Sequence, residues 1–134
     1  MLPSRGRVLD IGCYNGYLME KILEKGSEYD VYGVDASKES IRLCTLKNLK
    51  VFETDAENKL PFEDDFFDVI TGLEVIEHIV DTDSFLNEIK RVLKRDGILI
   101  LATPNVLSLS RRIMSLLGIN PFFEASFSFP PEIS

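Results

Sequence analysis

The stretch Val8–Leu18, VLDIGCYNGYL, is an apolar run that ends in an acid and passes at once into a glycine-marked turn. That order predicts a β-strand, a tight loop and a helix. Asp10 stands at the strand tip, Gly12 follows it, and Gly16 opens the helix. Glycine is needed in such a loop where a Cβ would collide with a ligand or forbid the backbone angles of the turn. The helix directs its first unpaired N–H groups toward the same place. Spacing separates this loop from a dinucleotide site, whose fingerprint is G-x-G-x-x-G. Here Gly12 and Gly16 stand as G-x-x-x-G. A carboxylate at Asp10 would repel a pyrophosphate and suits a ligand carrying positive charge. The reading points to S-adenosylmethionine, with its sulfonium and its ammonium group.

Outward from this loop, short apolar runs alternate with amphipathic segments, which calls for a parallel sheet covered on both faces. The predicted strands are Arg7–Ile11, Val31–Val34, Leu49–Glu53, Phe67–Thr71 and Ile98–Thr103. The first helix turns Leu18, Ile22 and Leu23 inward and stops at Gly26. The second starts from Ser37 as N-cap and buries Ile41 and Cys44. The third spans Asp83–Lys94, with Phe85, Leu86, Ile89, Val92 and Leu93 as its apolar face, and ends at the Asp96–Gly97 pair. Leu60–Asp65 is a turn-rich connection. Val106–Leu117 has the pattern of an amphipathic helix. Pro121–Pro131 gathers Phe122, Phe123, Phe127 and Phe129, which either cover an edge of the core or form a lid or acceptor pocket.

At 134 residues the chain is expected to form one domain, and 45% hydrophobic residues suffice for a real core. The formal net charge of -7 disfavours a general nucleic-acid or anionic-membrane binder. Cys13 and Cys44 make neither a disulfide framework nor a metal pattern, which suits a reducing cytoplasm. There is no basic-plus-apolar leader and no apolar stretch near the roughly 18 residues of a membrane span. The expectation is a soluble, cytoplasmic protein.

Asp10, Gly12 and Gly16 resemble the first signature of the class I methyltransferases, acid-x-Gly-x-Gly-x-Gly, with Tyr14 where the middle glycine is common. Leu60–Ile70, LPFEDDFFDVI, is similar to the subgroup that holds ubiquinone-biosynthesis-like and generic small-molecule enzymes. LKRDGILILATPN, residues 93–105, extends the resemblance over Val8–Asn105. It implies an α/β, Rossmann-like, doubly wound sheet of strand order 3-2-1-4-5, with the family's final antiparallel strands missing. It implies methyl transfer from S-adenosylmethionine to a small-molecule acceptor, leaving S-adenosylhomocysteine. Residues 1–105 would be the cofactor-binding core and 106–134 a helical, Phe-rich segment. The chain reads as such a core, truncated or part of something longer. Ile98–Ala102 would be a bare apolar edge, and Pro121–Phe129 or a second copy, as a homodimer, is expected to cover it.

Site residues follow from the strand tips. Asp35 ends strand two, where a carboxylate can accept both hydroxyls of a ribose, with Ala36 beside it. This position is shared with NAD-binding folds. Asp55 at the third tip would accept from the adenine amine while the Ala56 N–H meets a ring nitrogen. Cys13 and Tyr14 lie in the cofactor loop, Cys13 more simply as a small packing residue. The resemblance sets Gly72, Leu73 and Glu74, just past strand four, against the methionine end of the cofactor. Glu74, Glu77 and His78 would share one face of a helical turn. Three readings stay open for them: His78 as general base for an acceptor hydroxyl, a Mg²⁺ or Mn²⁺ site, or capping of the loop. The metal reading resembles the small-RNA 3′-terminal 2′-O-methyltransferases, which use a further histidine, and His78 is the one histidine here. Positioning an acceptor about 3–3.5 Å from the methyl group suffices for in-line displacement. The rivals are a non-catalytic, methyltransferase-like partner subunit and an NAD-linked oxidoreductase.

Overall fold

The computed structural model describes residues 3–25, 28–73 and 79–102. The expected cap at Gly26, the Glu74, Glu77 and His78 cluster, and everything proposed for residues 103–134 lie outside the described residues. Eight elements follow in order: β1 Gly6–Ile11, α1 Tyr17–Lys25, β2 Tyr29–Asp35, α2 Lys38–Leu46, β3 Lys50–Glu53, β4 Phe67–Leu73, α3 Thr82–Val92 and β5 Leu93–Ala102. The strands form a parallel sheet of order β3-β2-β1-β4-β5, as the resemblance implies. No helix among the described residues is long and apolar enough to cross a membrane.

Alternate residues of each strand face opposite ways, so the sheet carries two cores. On one face Phe85, Leu86, Ile89 and Val92 of α3 pack against Leu9, Ile11, Val34, Ile70, Leu99 and Leu101. On the other, Met19 of α1 and Cys44 of α2 cover Val8, Val31 and Val69. Met19, not Leu23, is the buried centre of α1, and Leu23 is exposed. The reason is the close approach of α1 to β2: a Cβ on Gly33 would lie 2.6 Å from Met19 Sδ. The inward stripe is thus Met19 with Ile22, and Leu23 falls at its margin. Ile41 is half-buried, while Ser37 caps α2 by accepting the Ser40 N–H.

α3 ends at Val92 rather than Lys94, and Asp96–Gly97 lies within β5. The last helical carbonyls are taken from outside: Asp65 N–H donates to Arg91 O and Phe66 N–H to Val92 O. Leu93 then pairs with Phe67 and Ile98 with Val69, so Lys94–Gly97 bulge opposite Asp68. Asp68 secures the bulge by accepting from Lys94 Nζ and from the Arg7 N–H. The Leu60–Asp65 connection is tied down by Arg91, which donates to the carbonyls of Leu60 and Phe62 and pairs with Glu88 and Asp64. Its Phe62 joins Phe66, Phe67 and Tyr32 in an aromatic cluster whose pairs meet edge to face except Phe62 and Phe66, which stack.

Candidate functional site

Parallel strands end on one side of a sheet, and the register brings the tips of β1, β2 and β3 together: Ile11 lies beside Val34, and Asp35 beside Glu53. The chain leaving β1 turns sharply. Gly12 and Gly16 adopt φ of 72° and 82°, left-handed values that favour glycine, and Tyr14 adopts 50°. Gly12 and Cys13 N–H both donate to Val34 O, which fixes the loop against β2. Gly16 N–H donates to Cys13 O, and Tyr17 N–H goes to the Asn15 side chain. One of the helix-start N–H groups expected to face the ligand is therefore already satisfied.

Asp10 is 3% exposed, on the central strand. Burial pushes its carboxyl up to about 7; the hydrogen bond from Thr71 opposes this and the Asp35 charge adds to it. A carboxylate so placed gains from any cation that reaches it. Asp35 is half-buried, with Oδ2 accepting the Tyr14 N–H at 2.9 Å and Oδ1 the Ser37 N–H at 2.8 Å. Each oxygen retains a lone pair for a further donor. Ala36 is exposed beside it.

At the third tip Asp55 is exposed and its Oδ1 accepts the Glu57 N–H at 3.0 Å, an Asx turn that leaves Oδ2 for other partners. Ala56 is half-buried against the core. Cys13 turns its side chain inward, 4.0 Å from Cys44 Sγ, and its N–H and C=O are both engaged. It shapes the loop from beneath. Burial, then Cys44, pushes its thiol far above the usual range. Tyr14, by contrast, is 68% exposed. Gly72 is buried and Leu73 closes β4.

Sequence reasoning missed Thr71. Its hydroxyl donates to Asp10 Oδ1 at 2.8 Å across the β1–β4 pair. The signal was a polar residue inside the apolar run Phe67–Leu73. Acidic groups on two adjacent tips disfavour a pyrophosphate and suit a ligand that carries positive charge.

Known proteins share this sheet. Residues 9–101 match the family described as Methyltransferase domain. The chain is 35% identical over 116 residues to a ubiquinone biosynthesis O-methyltransferase of Pelagibacter ubique, covering 84% of this chain and 47% of that protein. The chain thus spans about half the length of the curated relatives it matches. A SAM-dependent methyltransferase from Aquifex aeolicus superposes with a TM-score of 0.65 at 27% identity, covering 71% of this chain and 54% of that one. A structure from Bacillus halodurans reaches 0.72 at 20% identity, covering 87% and 64%, which speaks to the fold. With a matched domain over most of its length and this sheet order, the chain belongs to the class I S-adenosylmethionine-dependent methyltransferases.

Proposed function

We propose that the chain binds S-adenosylmethionine across the tips of β1, β2 and β3 and serves methyl transfer to an oxygen of a small-molecule acceptor. The observation that carries this is the pair of carboxylates on neighbouring tips, Asp10 buried and Asp35 open toward solvent with lone pairs to spare. Asp35 holds the ribose hydroxyls, Asp55 and Ala56 meet the adenine, and the Gly12–Gly16 turn lets the backbone pass close to the ligand. Asp10 supplies negative potential for the cationic end. On the resemblance, Gly72, Leu73 and Glu74 meet the methionine end; His78, as the chain's one histidine, is the candidate base for the acceptor hydroxyl.

When bound, the cofactor supplies an electrophilic methyl group. The protein's task is then orientation and exclusion of water, which can contribute several kcal/mol to lowering the barrier. The names of the matched relatives favour an acceptor of the kind used in ubiquinone biosynthesis. Calorimetric titration with S-adenosylmethionine, S-adenosylhomocysteine and NAD checks the reading, with heat expected for the first two alone. Asp35→Ala removes two hydrogen bonds to a charged acceptor, about 3 kcal/mol together, so binding weakens by about 100-fold. Binding of NAD in preference to S-adenosylmethionine would overturn the proposal.

A further inference from the structure

Three polar or charged residues are buried among the described residues: Asp10, Ser40 and Thr71. Ser40 lies in the first turn of α2, next to its cap. Asp10 and Thr71 are direct cross-strand partners in the middle of the sheet. The Thr71 hydroxyl has one proton and two acceptors in reach, Asp10 Oδ1 at 2.8 Å and Leu9 O at 3.4 Å. The shorter contact goes to the carboxylate. Thr71 is 6% exposed, so its hydroxyl is withdrawn from solvent and works through Asp10. A valine would fill the same space beside Ile70.

We propose that Thr71 is a positioning residue for cofactor recognition: its hydroxyl holds the Asp10 carboxylate in place and in its ionised form, ready for the cationic end of S-adenosylmethionine. The inference rests on the reading that Asp10 faces the cofactor. A hydrogen bond to the charged form of an acid favours that form, and here it opposes desolvation of a buried group. Asp10 binds its proton near neutrality, so a fraction of the protein must release that proton to solvent before a cation is accepted. Other groups bear on the same carboxyl: the Asp35 charge from β2 works against ionisation, and Cys13 in the loop and Cys44 on α2 are near enough to interact with it. Glu74, Glu77 and His78 lie beyond β4, outside the described residues. Without the Thr71 hydroxyl, Asp10 keeps its proton to higher pH.

The test compares the wild-type chain with Thr71→Val and Thr71→Ser. Asp10 is titrated by carboxyl carbon-13 NMR without ligand, and S-adenosylmethionine affinity is measured by calorimetry from pH 6 to 8.5. The ligand's own amino group titrates identically against all three proteins, so the difference between profiles belongs to the protein. Thr71→Val is expected to move the Asp10 midpoint up by about one pH unit. Affinity near pH 7 then falls about fivefold, and most of the loss is recovered by pH 8.5. Thr71→Ser keeps the donor and the wild-type profile. A Thr71→Val protein that melts lower but keeps the wild-type midpoint and pH profile overturns the inference, because a merely structural role changes stability alone. If Thr71→Val fails to fold, a shifted midpoint or profile in Thr71→Ser, where the donor is retained, overturns it. Failure of the wild-type chain to bind S-adenosylmethionine at any pH would instead sink the functional reading, whatever the NMR midpoints show.

Discussion

Asp10→Asn is expected to stabilise the protein at pH 8 while removing its affinity for S-adenosylmethionine. The carboxyl of Asp10 is pushed up to about 7, foremost by burial, from an ordinary value of 3.8. Below about pH 4 the folded and unfolded chains both hold the proton, and the site costs nothing. Between about pH 4 and 7 the unfolded chain releases the proton and the folded chain keeps it, so stability falls as pH rises. Above pH 7 the penalty is constant, at up to about 4 kcal/mol for a shift of this size. Asparagine carries no charge to desolvate and still offers an oxygen to the Thr71 hydroxyl. Urea unfolding of both proteins at pH 4.5 and 8 should show a gain of about 2–4 kcal/mol for the variant at pH 8, shrinking toward zero at pH 4.5. An equal difference at both pH values would mean that the buried charge is not the cause. Loss of ligand heat in the same variant would mark the site as one where stability has been exchanged for function.

Phe67→Ala is expected to cost about 3–5 kcal/mol, because it empties the centre of the aromatic cluster. Phe67 is fully buried at the start of β4 and meets Phe62 at 4.8 Å, Phe66 at 5.0 Å and Tyr32 at 5.7 Å between ring centroids. The Leu60–Asp65 connection closes over these rings, so the void has rigid walls and little freedom to collapse. Phe52 gives the contrast. Its ring also touches Phe62, at 5.4 Å, but 42% of the residue is exposed. Phe52→Ala should cost less, about 1–2 kcal/mol, since only part of its apolar area leaves water on folding. Thermal melts at pH 7.5 should separate the two by roughly 5–10 °C. Equal shifts would contradict the assigned core.

The strands were legible because each predicted strand is a short apolar run bounded by turn residues, while their order followed from the family resemblance. The third helix was legible in its apolar face, Phe85, Leu86, Ile89 and Val92, though not in its end. Asp96–Gly97 has the local chemistry of a helix stop, but the stop is imposed earlier by Asp65 and Phe66, which capture the final carbonyls from a distant loop. Such a long-range donor leaves no trace in local spacing. Met19 was overlooked for a related reason: its burial depends on Gly33, a residue of the next strand. The places of Asp10 and Asp35 near strand ends, and of Gly12 and Gly16 in the turn after β1, were legible in the sequence. What could not be read was that Asp35 also receives the Tyr14 and Ser37 N–H groups, and that Thr71 answers Asp10 from a strand 61 residues away.

β1 is an interior strand whose two neighbours arrive at different times. β2 follows within a few dozen residues, whereas β4 begins at Phe67. A nascent chain emerging from the ribosome can dock β1, β2 and β3 early, but one flank of β1 then stays unpaired until Val69–Thr71 have left the tunnel. Through that interval the apolar backbone edge of Val8–Asp10 is open to rival strands, the kind of wait that slows maturation and invites chaperone attention.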